Sequence, residues 1–227
     1  MKDIRNHRRV NDILLGPLER PALQWLAAHM PKWVTPDILT GIGLLGTFLI
    51  LIGYVMSNYN PSFLWLSSFG FLVNWFGDSL DGTLARYRKI ERPAYGFFTD
   101  HMIDAFSQVL IFLGLGISPY ISFNIACLAL ISFFLLTIYI YVRTSVVGEF
   151  KISFSKLGPT ELRLLAILLN TYMFFAGVHT FELTIGSIYT VAISIYDVMV
   201  VIVTVILFLI YVVSVIKQSY ELSQLEK

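Results

Sequence analysis

The sequence predicts an all-α integral membrane protein: six transmembrane helices, preceded by an N-terminal amphipathic helix at the membrane interface. Three observations carry that prediction. Of 227 residues, 56% are hydrophobic and only 14% charged, whereas a soluble domain carries about a quarter charged residues. Several apolar stretches run for about 20 residues without Lys or Arg, the length an α-helix needs to cross roughly 30 Å of hydrocarbon. The basic residues also alternate in position along the chain, so that the links after the first, third and fifth stretches contain none.

Taken in order, the N-terminus MKDIRNHRRVND is charged and leads into no apolar core with a small-residue cleavage site; no removable signal is expected. Leu14 to Met30 mixes Leu, Ala and Trp25 with Glu19, Arg20 and His29, too polar to cross and suited to lying at the interface. Thr35, Pro36 and Asp37 read as N-cap, first helical residue and dipole-complementing acid. The six spans follow at Ile38 to Met56, Ser62 to Asp81, Gly96 to Ile117, Ser122 to Tyr141, Leu162 to Val178 and Tyr196 to Ile216. Phe181 to Ile195, interrupted by Glu182 and Gly186, reads as an outer loop or interfacial turn. All 16 Lys and Arg then fall on one side, which the positive-inside rule makes cytoplasmic, with both termini inside. The expected organisation is a cytoplasmic segment over residues 1–37, a six-helix domain over 38–216 and a cytoplasmic tail over 217–227. Trp25, Trp33 and Trp65 suit interface anchoring. The lone cysteine, Cys127, sits in an apolar stretch, which excludes an intrachain disulfide and suits packing. With a net charge of +1 and no basic stripe, nucleic acid is not an expected partner.

Four carboxylates break this apolar pattern. Asp78 and Asp81 end the second span, and Asp100 and Asp104 lie early in the third. An unpaired charge within the bilayer costs at least a few kcal/mol. At 100° per residue, Asp78, Asp81, Gly82 and Ala85 share about a 100° sector. Gly96, Asp100 and Asp104 repeat at i, i+4, i+8 and form a stripe on the next helix. Joined by a short basic loop, the two stripes face each other across a hairpin. Like charges at a few ångströms cannot all stay ionised without compensation. Divalent cations supply it, and an all-oxygen donor set suits Mg²⁺, Mn²⁺ or Ca²⁺ rather than zinc. Two such ions could clamp a pyrophosphate, with Gly82, Ala85 and Gly96 leaving room for a base and ribose. Helix capping and pairing with Arg86, Arg88, Lys89 and Arg92 would explain one or two of the acids, not four on facing stripes.

The 27 residues DSLDGTLARYRKIERPAYGFFTDHMID resemble the signature of the CDP-alcohol phosphotransferases, D-x2-D-G-x2-A-R followed by G-x3-D-x3-D. Asp78, Asp81, Gly82, Ala85, Arg86, Gly96, Asp100 and Asp104 match every fixed position, with nine residues between Arg86 and Gly96. TPDILT, residues 35–40, looks like that family's T-P-N-x-L-T, with Asp37 in place of Asn. The resemblance implies that Asp78, Asp81 and Asp100 bind metal, and that Asp104 lies near a second metal and acts as general base. It implies donor contacts from Asp78, Gly82, Ala85, Arg86, Gly96 and Thr40, two Mg²⁺ or Mn²⁺ ions, an active site at the cytoplasmic face, and a homodimer. The implied reaction transfers a substituted phosphate from a CDP-linked donor to an alcohol, releasing CMP, in phospholipid synthesis.

Chain length and topology favour the members that use CDP-diacylglycerol, whereas Asp100 followed by His101 looks more like the D-H-x-x-D of choline and ethanolamine phosphotransferases. Arg143, Lys156, Arg163 and His101 are candidates for an acceptor pocket; Arg163 stands out because it enters an otherwise apolar span. Membrane anchoring of the three basic residues is the plainer alternative. His101 is either a donor to a metal-bound carboxylate or an interfacial side chain facing water, and Glu161 suits capping of the fifth span. Two further readings compete. An ion or metal transporter would place acids at midplane on several helices, with internal repeats, and neither feature is present. A membrane phosphatase would use water in place of the alcohol.

Overall fold

The computed structural model describes residues 14–147, 158–185 and 189–225. The charged N-terminal dodecapeptide, Lys156 and the last two residues of the tail lie outside them. The described helices are α1 (Gly16–His29), α2 (Pro36–Met56), α3 (Phe63–Arg88), α4 (Pro93–Ile117), α5 (Phe123–Val147), α6 (Pro159–Ala176) and α7 (Ile195–Leu225), with strands β1 (Thr180–Ile185) and β2 (Tyr189–Ser194) between the last two. Four of them, α2, α4, α5 and α7, are long and apolar enough to cross a membrane by length and composition. The expected second and fifth spans fall within α3 and α6 except for Ser62, Gly177 and Val178, and neither helix reaches that apolar measure. Both carry the polar residues of the protein's centre: Asn74, Asp78 and Asp81 on α3, Arg163 and Asn170 on α6.

The stretch 181–195, expected as an outer loop or interfacial turn, contains regular structure: Thr180–Ile185 and Tyr189–Ser194 pair antiparallel, Thr180 opposite Ser194 and Ile185 opposite Tyr189, two short strands in an otherwise helical fold. The two runs, TFELTI and YTVAIS, are rich in β-branched and aromatic residues that favour a pleated ladder, and pairing satisfies the backbone groups that a loop would leave open. At the start of α7, buried Asp197 accepts hydrogen bonds from Ser122 N (2.7 Å), Ser122 Oγ (3.0 Å) and Ser194 N (2.9 Å), which ties the hairpin to the α4–α5 link.

The interface that positions the acids is a seam of small residues between α2 and α3. A Cβ on Gly77 would stand 2.2 Å from Gly43 N and 2.4 Å from Leu39 O; one on Gly46 would stand 2.4 Å from Asn74 N. Gly53 and Gly70 are enclosed too, with a Cβ 2.3 Å from Ser67 Oγ and 2.7 Å from Ile50 N respectively. Lipid gives two apolar helices little hydrophobic reason to associate, so such close backbone approach supplies the packing instead. Thr35 caps α2 through Oγ1, which accepts from Ile38 N at 3.3 Å, as the sequence suggests, with Pro36 in the first turn. Around this pair, α4 packs on α2, α6 and α1 on α3, α5 on α4, and α7 on α5.

The α3–α4 connection is short and heavily tied. Lys89, in the left-handed region at φ 58, ends α3; Lys89 N and Ile90 N donate back to Arg86 O and Ala85 O, the usual way to satisfy carbonyls at a helix C-terminus. Arg88 sends its guanidinium into the α1–α2 connection, donating to the carbonyls of Met30 (3.0 Å), Pro31 (2.8 Å) and Val34. Arg92 pairs with Asp37 across the same gap and lies 4.2 Å over the Tyr95 ring. Gly16–His29 forms the helix α1, which packs against protein. Leu23 and Ala27 of α1 join Val34, Leu39, Leu80 and Leu84 in a buried cluster, and Glu19 Oε1 accepts from Trp75 Nε1 (2.8 Å) and Thr160 Oγ1 (2.7 Å). Glu161 caps α6 through Gly158 N (2.9 Å) and also takes Leu15 N (2.8 Å), fastening α1 to α6.

Candidate metal and substrate site

Where α2, α3 and α4 converge, Thr40, Gly43, Asn74, Asp78, Asp100, Ile103, Asp104 and Ser107 line a small cleft. The hairpin turn brings the acidic stripe of α3 against that of α4. One carboxylate oxygen each from Asp78, Asp100 and Asp104 lies within 4.8 Å of the others. Two ligands on opposite sides of one Mg²⁺ stand about 4 Å apart, and about 5 Å for Ca²⁺. The three acids are therefore close enough to share an ion with little movement, and their all-oxygen chemistry fits a hard divalent cation.

Asp81 stands apart from this trio. Its Oδ2 accepts from Thr40 Oγ1 at 2.6 Å and its Oδ1 faces the N–H of Gly82. Thr40 Oγ1 also lies 3.1 Å from Pro36 O, but a hydroxyl has one proton to give, and the shorter, charge-assisted bond to the carboxylate takes it. Thr40, a predicted donor contact, is thus the residue that orients Asp81.

The other predicted contacts divide by packing. Arg86 is exposed at the end of α3, with Nη2 donating to Thr83 Oγ1 at 3.2 Å, beside half-buried Ala85. Gly82 and Gly96 contrast with the seam glycines. A Cβ on Gly96 would meet nothing within 4 Å, and the nearest atoms to one on Gly82 belong to the Arg86 guanidinium, the first at 3.2 Å. Internal packing does not require glycine at either position.

The four acceptor-pocket candidates separate. Arg163, from the first turns of α6, donates through Nη2 to Asp78 Oδ2 at 2.6 Å and through Nε to Asn74 Oδ1 at 2.8 Å. His101 is buried and does not face water. Its Nδ1–H donates to Phe97 O at 2.7 Å, its ring stacks on Phe97 at 4.1 Å, and Nδ1 lies 3.7 Å from Asp100 Oδ2. Arg143 is elsewhere: it lines a groove of about 260 Å³ between α5 and α7, where Nε donates to Gln218 Oε1 at 2.8 Å. Lys156 lies outside the described residues.

The sequence reading missed the residues that hold Arg163. Asn74 Nδ2 donates to Gly43 O (3.0 Å) and Thr47 Oγ1 (3.1 Å), and Thr47 Oγ1 lies 3.0 Å from Ser107 Oγ. All three side chains are buried. The amide orientation follows from chemistry: a guanidinium can only donate and the Gly43 carbonyl can only accept, so Oδ1 must face Arg163. Asn74 stands one helical turn before Asp78, and Ser107 one turn after Asp104; that i±3/4 spacing of polar residues was the available signal.

Against known proteins, the profile described as CDP-alcohol phosphatidyltransferase matches residues 33–216. The chain belongs to this family. As a CDP-alcohol phosphatidyltransferase family member it is similar to Cholinephosphotransferase 1 of Danio rerio, 27% identical over 175 residues, which are 71% of this chain and 44% of that protein. It is also similar to Phosphatidylinositol phosphate synthase of Cutibacterium acnes, 34% identical over 93 residues and 40% of each chain. An uncharacterized protein of Aquifex aeolicus is 30% identical over 193 residues, 81% of this chain and 92% of the other. The matched part spans less than half the length of the first two relatives. Family members are transferases, and the three-aspartate cluster of this one suits the divalent metal that the family generally requires.

Proposed function

We propose that the protein transfers a substituted phosphate group from a CDP-linked donor, CDP-diacylglycerol in the first reading, to an alcohol acceptor in phospholipid synthesis, with release of CMP. The observation that carries this is the convergence of Asp78, Asp100 and Asp104 oxygens within 4.8 Å of one another, in a chain whose signature glycines Gly82 and Gly96 are not demanded by packing. Asp78, Asp81 and Asp100 are assigned to two Mg²⁺ or Mn²⁺ ions, with Asp104 at the edge of the second. Bound divalent cations would neutralise the donor pyrophosphate and the departing CMP. Asp78, Gly82, Ala85, Arg86, Gly96 and Thr40 are the donor contacts in this assignment, the glycines admitting the nucleotide and Thr40 holding Asp81. Asp104 takes the proton of the acceptor hydroxyl; that oxygen forms a bond to the β-phosphorus as the phosphorus–oxygen bond to CMP breaks. Positioning and electrostatics supply the acceleration.

The reading includes six spans, α3 and α6 among them, both termini and the site at the cytoplasmic face, and a homodimer. The single-sided placement of Lys and Arg supports the orientation. Arg163 and His101, both close to the acids, remain candidates for contact with substrate. The groove that holds Arg143 shares no lining residue with the acidic cleft, which argues against an acceptor role for that side chain.

A second reading has its own support. Asp100-His101 matches the D-H-x-x-D arrangement, and several relatives bear the name Cholinephosphotransferase 1. It makes the donor a CDP-linked small alcohol and the acceptor a diacylglycerol-like lipid. Purified protein with Mn²⁺ should release CMP from CDP-diacylglycerol only when a polar alcohol is supplied; under the second reading, release from CDP-choline or CDP-ethanolamine depends on diacylglycerol. Release independent of any alcohol would make the protein a phosphatase, and no release from any donor would contradict the transferase assignment.

A further inference from the structure

We infer that Arg163 is a resident counter-cation of the acidic site, holding Asp78 until a divalent ion takes that carboxylate and then turning its freed guanidinium to an anionic ligand. The inference rests on the metal and CDP-donor reading above. Three features separate it from an ordinary structural ion pair.

Arg163 binds one of the three carboxylates that converge on the cleft, at 2.6 Å, so a cation and the guanidinium compete for the same group. The arginine is also held from behind, through Nε by Asn74, whose amide is fixed in turn by Gly43 O and Thr47 Oγ1. Its terminal nitrogens can thus leave Asp78 while the side chain stays anchored. Finally, Nη1 of Arg163 is buried and has no hydrogen-bond partner among the described residues. A buried N–H without a partner is a cost that native structures seldom carry. A phosphate oxygen in the cleft would supply the partner, and guanidinium geometry suits phosphate in particular.

Displacement has a sign that a structural ion pair does not share. A fixed positive charge beside the acids opposes cation binding, so its removal tightens the site. If Arg163 only oriented Asp78, its removal would loosen the site. The test uses the full chain in lipid nanodiscs, with Mn²⁺ affinity read from the EPR signal of the free ion and CDP affinity read by calorimetry with and without Mn²⁺. Arg163→Gln is expected to bind Mn²⁺ about tenfold more tightly than wild type, and to lose most of the Mn²⁺-dependent gain in CDP affinity, since linkage between the two ligands is reciprocal. Asn74→Ala carries the same test if Arg163→Gln does not fold: the charge remains but its anchor is gone, and Mn²⁺ affinity should rise about threefold. Unchanged or weaker Mn²⁺ binding in the folded variants overturns the displacement and leaves the metal reading standing. Failure of the wild type to bind Mn²⁺ overturns the metal reading itself, and the inference with it.

Discussion

Asp104→Asn is expected to lower kcat by about a thousandfold, within the range that a positioned general base contributes, while Mn²⁺ and CDP affinities should stay within about threefold of wild type. Asparagine keeps an oxygen where Asp104 contributes to the cluster but cannot accept the acceptor's proton, so chemistry should fail before binding does. Asp81→Asn is the contrast. Its carboxylate holds the short bond from Thr40 and is assigned to metal, so both Mn²⁺ and CDP binding should weaken. The check is single-turnover CMP release alongside the two binding isotherms. Wild-type turnover in Asp104→Asn would refute the assignment of the base.

The second large effect is structural. Gly77→Ala should destabilise the protein by about 3 kcal/mol or more, at or above the usual cost of overpacking, because the new Cβ meets backbone: Gly43 N at 2.2 Å and Leu39 O at 2.4 Å. A side chain in its place could rotate away, but a helix backbone cannot. Prising α2 from α3 would also stretch the Thr40–Asp81 and Asn74–Gly43 bonds, which cross the same seam, so metal affinity should fall with stability. Gly41→Ala is the matched control. It lies on the facing helix α2 with nothing within 4 Å of its Cβ, and should be neutral or stabilising by up to about 1 kcal/mol through helix propensity. Thermal unfolding of both variants in detergent measures the difference; equal melting temperatures would show that the seam does not hold the hairpin together.

Much of this architecture is legible in the chain because lipid imposes coarse rules. Apolar runs of spanning length mark α2, α4, α5 and α7, and the Thr35-Pro36 start of α2 follows from local capping chemistry. The facing of Asp78 and Asp100 follows from helical periodicity and a short connection. Other features depend on tertiary geometry that periodicity does not encode. That Asp81 turns to Thr40 while its neighbour Asp78 turns to Arg163 is set by how α2 and α6 lie against α3. The separation of Arg143 from the acids follows from the packing of α5 against α7; sequence placed it only on a basic side. The hairpin over 180–194 was obscured because Glu182 and Gly186 break up an apolar run, a pattern that serves a loop as well as a ladder.

Mn²⁺ soaked into crystals of the wild-type protein and located by anomalous scattering tests the account at its root. A peak about 2.0 to 2.5 Å from oxygens of both Asp78 and Asp100, lost in Asp100→Asn, is the expected result. A fully occupied Mn²⁺ elsewhere, with the carboxylates of α3 and α4 bound to no common ion, would contradict it.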